Sequence, residues 1–372
     1  MREANTADRA LPAQAGSVPP AEQKDNIMIK DTIKKVVDNI DLSIDEASSV
    51  MGEMMNGETT PSQISCLITA LRMKGETADE VTGFASKMRE HAIKVDTKLD
   101  NIIDTCGTGG DFSGTFNIST ISAIVAAAAG AKVAKHGNRS ASSKCGSADI
   151  LEAMGVKINL PPEKVKQSLE EIGIGFIFAQ NFHPAMKYAG PTRKEIGIRT
   201  IFNVLGPLTN PAGTKYQLLG VFSEKLTELM ARVLQNLGST EVMVVHGMDG
   251  LDEITVADRT KISHLKSGNI RNYFIEPKNF RINRYAKEEL IGGTVNENIK
   301  ITNDILKGIE KTAKRDIVLL NTAATLVVGQ VAKDINEGIE KAKESIDSGK
   351  AFKKLEELIK FTNLTSSSSP TS

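Results

Sequence analysis

Asp104-Thr105-Cys106-Gly107-Thr108-Gly109-Gly110-Asp111 lies between two runs of different character. The short run 99–103 before it predicts a buried strand. The alanine-rich run 118–129 after it predicts a buried helix. A glycine-dense turn between strand and helix exposes backbone N–H groups and lets a bulky anion approach the main chain, and the helix N-terminus adds partial positive charge. The stretch therefore predicts a phosphate or diphosphate cradle. No Gly-Lys-Ser/Thr closes it, so it is not a Walker A loop, and it lacks the Gly-x-Gly-x-x-Gly spacing of dinucleotide folds. Asp111 directly follows the glycines. A carboxylate there repels an anion unless a metal or a hydroxyl donor lies between them.

Beyond residue 99 the chain alternates strand and helix. Strands are predicted at 132–134, 175–178, 216–222 and 241–245. Helices are predicted at 148–154, 161–172 and 224–237. This order predicts an α/β fold with a parallel-dominated central sheet, whose ligands lie beyond the carboxyl ends of the strands. Before it, residues 29–92 read as all helix. Ser43 to Glu46 and Thr77 to Glu80 match the capping box, Thr60-Pro61 offers an N-cap with proline at the first position, and Gly75 stops a helix. Such short helices need partners for their apolar stripes, and surplus apolar surface would suit a subunit contact. Residues 1–26 and 365–372 lack apolar periodicity and read as a disordered extension and tail.

The 372 residues balance 46 Lys+Arg against 46 Asp+Glu, which argues against a broad nucleic-acid-binding surface. No apolar run is long enough to span a bilayer, and the N-terminus shows no signal-peptide pattern, so the expected location is cytoplasmic. Cys66, Cys106 and Cys145 form no C-x-x-C pair and suit free thiols. Cys106, inside the cradle, reads as a packing residue rather than a nucleophile.

Four further constellations follow strands. Lys135-His136-Gly137-Asn138-Arg139-Ser140, continuing through Ser142, Ser143, Lys144 and Cys145, packs cations, hydroxyls and glycines suited to phosphate. Asn117-Ile118-Ser119-Thr120 opens the alanine-rich helix, as a cap or as a ligand contact. His246 to Glu253 ends in Asp252 and Glu253, hard oxygen ligands of the kind Mg²⁺ takes, provided a turn brings both to one side. Phe182 to Arg193 holds His183 and Tyr188, which could flank an aromatic ring, and Arg193, which could clamp a carboxylate.

Gly107-Thr108-Gly109-Gly110-Asp111, Lys135-His136-Gly137-Asn138-Arg139, His183-Pro184-Ala185-Met186-Lys187 and Gly206-Pro207-Leu208-Thr209-Asn210-Pro211, in this order, resemble the anthranilate phosphoribosyltransferase family of tryptophan biosynthesis. The likeness runs from about residue 31 to 358. It implies a small helical domain (27–96, with a return segment near 190–210) joined to a larger α/β domain (97–364), similar to the nucleoside phosphorylases. It also implies a homodimer formed through the helical domain, and it raises anthranilate synthase as a further partner.

The substrates implied are anthranilate and 5-phosphoribosyl-1-diphosphate (PRPP), with two Mg²⁺ ions. By analogy Gly107, Thr108, Gly109, Gly110, Asp111, Thr115, Asn117, Ser119, Thr120, Lys135, Asn138, Ser143 and Ser147 would hold PRPP. Ser119, Asp252 and Glu253 would bind metal. Gly107, His136, Asn138, His183, Tyr188 and Arg193 would line the anthranilate path. No nucleophile or base is implied, because a neutral aromatic amine displaces diphosphate directly. One departure is Gln180-Asn181 before Phe182, where the family commonly has proline. A nucleoside phosphorylase would take free phosphate and a pyrimidine. A nucleic-acid-binding relative would show a basic surface and broken motifs.

Overall fold

The computed structural model describes residues 27–140 and 145–364. The expected extension and tail, and Ser142, Ser143 and Lys144, lie outside the described residues.

Four helices come first: α1 (Ile27–Val37), α2 (Ile44–Asn56), α3 (Pro61–Lys74) and α4 (Ala78–His91). Ser43, Thr60 and Thr77 each accept the N3 backbone N–H, and Glu46, Gln63 and Glu80 reach back to complete three capping boxes. Glu80 does more. Its buried carboxylate also accepts the Leu42 N–H at 3.0 Å and the Lys74 ammonium at 3.0 Å, which ties the loop before α2 to α4. Helices α2 and α4 meet closely at Gly83. A Cβ there would overlap the Ile44 carbonyl and sit 2.7 Å from Ala47 Cβ.

The second part begins with β1 (Ile102–Gly107), α5 (Ile118–Ala128), β2 (Lys132–Gly137), α6 (Ser147–Ala153), α7 (Pro162–Ile172) and β3 (Ile174–Phe178). Short helices α8 (Ala179–Phe182), α9 (Gly190–Ile196) and α10 (Phe202–Leu205) follow. Then come β4 (Tyr216–Gly220), α11 (Leu226–Asn236), β5 (Glu241–Gly247), β6 (Thr260–Lys266) and β7 (Asn269–Ile275). Four helices close the chain: α12 (Val295–Leu306), α13 (Ala313–Val328), α14 (Ile335–Asp347) and α15 (Lys350–Asn363).

The seven strands form one sheet in the order β3-β2-β1-β4-β5-β6-β7, parallel through β5 and antiparallel beyond. Successive side chains feed opposite layers: Leu218, Met243 and Val245 join the apolar cluster with α5 and α13, whereas Leu219, Val242 and Val244 join α11 and the helical part. Ile201, Phe202, Val204, Leu205 and Leu208 pack into this second cluster with α2, α3 and α4.

Several boundaries differ from the sequence expectation, three of them at the carboxyl ends of strands. The first strand spans Ile102–Gly107 rather than 99–103, so Asp104 to Gly107 belong to the strand and not to the turn. The second runs to Gly137, which puts Lys135 and His136 in the sheet. The fourth stops at Gly220. Polar residues at strand ends read as loop in sequence; here Asp104, the Lys135 ammonium and the His136 N–H are hydrogen-bonded, which lets the first two strands continue. The hairpin β6–β7 adds two strands that the sequence expectation lacks. Its signal is Ser267-Gly268, both at positive φ (50° and 75°), the requirement of a two-residue hairpin turn.

Gly83→Val is expected to lower unfolding stability by roughly 2–3 kcal/mol through overpacking at the α2–α4 crossing. Urea denaturation checks it, and unchanged stability would contradict the packing account.

Candidate active site

Strand order reverses at β1. From β1 the chain proceeds to β2 and β3 on one side, and from β4 to β5 on the other. A crevice at the carboxyl ends of β1 and β4 is the expected ligand position in such a sheet. The glycine loop leaves β1 there, with Gly109 and Gly110 at φ 66° and 75°.

The acidic pair arrives from the loop after β5. Asp252 Oδ2 accepts the Gly109 N–H at 2.8 Å. The loop presses so close that a Cβ at Gly107 would overlap the Asp252 carboxylate, and a Cβ at Gly220 would overlap the Asp252 carbonyl. The Thr108 N–H donates to the Gly220 carbonyl at 2.9 Å, and Thr108 Oγ1 accepts the Phe222 N–H at 3.2 Å. Among the described residues the N–H groups of Gly110, Asp111 and Phe112 make no hydrogen bond, so they are the donors left for a ligand.

Burial and the adjacent Asp111 push Asp252 up to about 7. Burial and the Asp252 charge push Glu253 well above the usual carboxylate range, against the Lys135 ammonium and the Ser119 backbone. Asp111 Oδ1 accepts the Ser113 N–H at 3.3 Å, while its Oδ2 is buried without a partner. Three crowded carboxylates with an orphaned oxygen are a charge arrangement that a hard divalent cation relieves. No group of three or more His, Cys, Asp or Glu that could hold a metal is present among the described residues.

Lys135 lies in β2 and is buried. Its ammonium donates to the Thr105 carbonyl at 2.7 Å and to Ser119 Oγ at 3.3 Å, in the first turn of α5. Thr120 is buried in the same turn. Asn117 occupies the N-cap position without capping. Its Nδ2 donates to the Cys145 carbonyl at 3.0 Å, and its Oδ1 is buried without a partner. Thr115 Oγ1 meets Ser113 Oγ at 3.3 Å, and its backbone bridges to Ile291. Ser147 donates to the Asn138 carbonyl at 3.3 Å. Gln180 donates to Asn138 Oδ1 at 3.3 Å, a hydrogen bond onto a candidate site residue.

His136 and His183 meet as rings 5.2 Å apart, and the Nε2 of each is buried without a partner. Burial, then the neighbouring ring, depresses His136 to about 3; burial depresses His183 to about 4. Both imidazoles are neutral at neutral pH. The Tyr188 ring packs instead on Gly57, at the end of α2. The Arg193 guanidinium lies 4.8 Å over the Phe202 ring, and burial lowers its pKa. No hydrogen bond ties Tyr188 or Arg193 to the histidines among the described residues.

Asp104 and Asn210 are partners of this site that sequence reasoning missed. Asp104, buried in β1, accepts the His136 N–H at 3.2 Å and the Asn210 amide at 2.8 Å. Burial raises it to about 6, against the Lys135 charge. Cys106 is inert: burial and Asp104 push its thiol well up.

Comparisons with known proteins agree along most of the chain. Residues 30–92 match the glycosyl transferase family, helical bundle domain, and residues 99–352 match the glycosyl transferase family, a/b domain. The chain is 55% identical over 336 residues to the anthranilate phosphoribosyltransferase of Acetivibrio thermocellus, covering 90% of this chain and 97% of that one. It is 53% identical to that of Alkaliphilus metalliredigens, covering 90% and 98%. The structure superposes on the anthranilate phosphoribosyltransferase of Thermus thermophilus with a TM-score of 0.85 at 41% identity, covering 90% and 100%. It also superposes on the Saccharomyces cerevisiae enzyme in complex with PRPP and Mg, with a TM-score of 0.84 at 28% identity, covering 91% and 98%.

His183 supplies a pH test. Its folded pKa lies below the ordinary value of about 6.5, so the unfolded chain gains the proton first as pH falls. The stability it supports is complete above about pH 6.5 and is lost as pH drops from there towards 4. His183→Asn is expected to reduce the loss of stability between pH 7 and pH 5 by about 1 kcal/mol. Thermal unfolding of both proteins at the two pH values measures it, and an identical loss would contradict the buried, neutral assignment.

Proposed function

The chain belongs to the anthranilate phosphoribosyltransferase family, and from that membership we propose how its own residues carry the reaction. The enzyme transfers the 5-phosphoribosyl group of PRPP to the amine of anthranilate, giving N-(5-phosphoribosyl)anthranilate and diphosphate, in tryptophan biosynthesis, with Mg²⁺ as cofactor. The observation that carries the assignment of roles is an acidic cluster set against a loop of unpaired N–H donors. A lone anion would be repelled by the carboxylates, and a lone cation has no use for the donors. A diphosphate ester taken up with a divalent cation uses both.

Asp252, Glu253 and Ser119 would hold Mg²⁺, in two ions, and Mg²⁺ supplies charge stabilisation to the departing diphosphate. The N–H groups of Gly110, Asp111 and Phe112 donate to phosphate oxygens, while the Asp111 carboxylate accepts from sugar hydroxyls. Gly107, Gly109 and Gly110 give the bulky ester close access to the main chain. Thr108 braces the loop from β4, and Thr115 braces its far end. Ser119 and Thr120 face the ligand from the first turn of α5, and Ser147 contributes a hydroxyl from the start of α6, with Ser143, outside the described residues, proposed beside it. Asn117 offers Oδ1 as an acceptor. Lys135 acts from below, its charge offsetting Asp104 and Glu253.

Anthranilate is positioned by the neutral pair His136 and His183, by Asn138 and Gly107 at the junction with PRPP, and by Tyr188 and Arg193. Arg193 receives the carboxylate, whose charge a buried guanidinium needs. The amine arrives neutral and attacks the anomeric carbon as the bond to diphosphate breaks. Positive charge grows on the sugar and negative charge on the leaving group, so positioning and fixed charge supply the catalysis.

The proposed division sets the helical part 27–96, with its return segment near 190–210, against the rest of 97–364. Exposed Met28 and Val37 on α1, Ile40 after it, Ile44 at the start of α2 and Met73 on α3 offer a surface for the homodimer. No helix of the described residues is long and apolar enough to cross a membrane, and the proposed location is cytoplasmic.

Loss of anthranilate fluorescence on adding PRPP and Mg²⁺ tests the activity directly; turnover of thymidine with phosphate in its place would overturn it. Arg193→Ala is expected to raise KM for anthranilate roughly tenfold or more, with KM for PRPP little changed. Asp252→Asn combined with Glu253→Gln is expected to shift the Mg²⁺ titration of PRPP-dependent turnover to at least about tenfold higher concentration. A wild-type titration in the double variant would remove the pair from the metal site.

A further inference from the structure

Arg199 belongs to neither the metal group nor the anthranilate path. It lies between α9 and α10, in the segment whose neighbours Ile201 and Phe202 are buried with the helical part. From there its guanidinium crosses to the glycine loop. One Nη donates to the Gly110 carbonyl. The guanidinium sits 4.8 Å from the Phe112 ring centroid and 4.4 Å from that of Phe222. Its described partners are thus one carbonyl and two rings, none of them a carboxylate.

Phe112 is the odd residue of the loop. It is 79% exposed and holds a left-handed backbone at φ 54°, a conformation uncommon outside glycine and costly for an aromatic side chain. Packing in the core does not account for an exposed ring held this way; its contact with Arg199 does. Phe222 follows β4, and its N–H is held by Thr108. The guanidinium therefore joins three segments: the return segment, the glycine loop and the β4 loop.

We propose that Arg199 is a positioning residue for PRPP, holding the glycine loop with its N–H donors turned towards the substrate; this rests on the PRPP reading of the cradle. The physical reason lies in the peptide between Gly110 and Asp111. A trans peptide is planar, with C=O and N–H pointing opposite ways. Tying the Gly110 carbonyl to Arg199 turns the Asp111 N–H to the opposite side and removes a repelling carbonyl dipole from the anion. The two rings brace the flat guanidinium so that the carbonyl is held in one place. A lysine keeps the charge but cannot fill a planar slot between two rings.

Steady-state kinetics of the full-length enzyme tests this. Arg199→Ala and Arg199→Lys are each expected to raise KM for PRPP about tenfold, with KM for anthranilate within about twofold of wild type. Phe112→Leu, on an exposed loop, is expected to raise KM for PRPP about threefold and to add nothing in the Arg199→Ala background. Millimolar guanidinium is expected to restore part of the Arg199→Ala defect, which a purely structural role would not allow. If Arg199→Ala fails to fold, Phe112→Leu reads the same contact. An unchanged KM for PRPP in both variants, or equal rises in both KM values, overturns the proposal. Ser119→Ala separates the two readings: a rise in its KM for PRPP with none in the Arg199 and Phe112 variants leaves the cradle standing and removes Arg199. No rise in any of them removes both.

Discussion

The backbone of the acidic loop is seated directly on the ends of β1 and β4. Gly107 and Gly220 have no side chains there, and any Cβ would collide with Asp252. This contact converts two distant segments into one site. It delivers Asp252 and Glu253 to the crevice where strand order reverses, beside Asp111 and within the field of Lys135. Bringing carboxylates together in a buried place raises their pKa values and costs free energy. On the proposed roles that cost would be offset by charge from outside, a cation for the carboxylates and an anion for the loop donors.

A second constraint shapes the other half of the crevice. The β1–β2 ladder pairs Ile102 with Lys132 and Ile103 with Val133 and then stops, although both strands continue. Asn210 enters at that level, donating to Asp104 and to the Ala134 carbonyl, while Asp104 accepts the His136 N–H. An amide and a carboxylate thus take up the Ala134 carbonyl and the His136 N–H in place of ladder hydrogen bonds as the strands part. The parted ends leave room beside His136 for its ring to meet His183. The helical part is tied to the same place by Arg89 of α4, whose guanidinium donates to the Leu208 carbonyl at 2.6 Å and the Leu237 carbonyl at 3.2 Å.

The elements with strong local signals were legible in the sequence. Ser43, Thr60 and Thr77 start helices because their side chains meet backbone N–H groups within four residues, and such contacts are written locally. The glycine turn between strand and helix was legible for the same reason. The strand ends were not. Asp104, Lys135 and His136 sit in strands only because partners arrive from residues 105, 119 and 210, and nothing near them in sequence announces it. Arg199 was equally silent, since its meaning depends on two phenylalanines 87 and 23 residues away that reach it only in the folded chain. The roles open to the loop N–H groups depend on the folded chain as well. Gly109 reads as a phosphate donor, yet its N–H is held by Asp252, which leaves the donor role to residues 110–112.

The two halves of the crevice differ in electrostatic character, and the difference bears on how the reaction is catalysed. The side with the glycine loop is crowded with charge. The side with His136 and His183 is neutral, with both rings depressed to about 3 and 4. An imidazole whose conjugate acid is that strong is a poor proton acceptor, so neither ring activates the amine in any substantial degree. A neutral, weakly basic nucleophile also gains little from nearby charge before bond formation. On the proposed roles, the barrier would be lowered chiefly at the other end, where the glycine loop would present its N–H groups to the departing diphosphate.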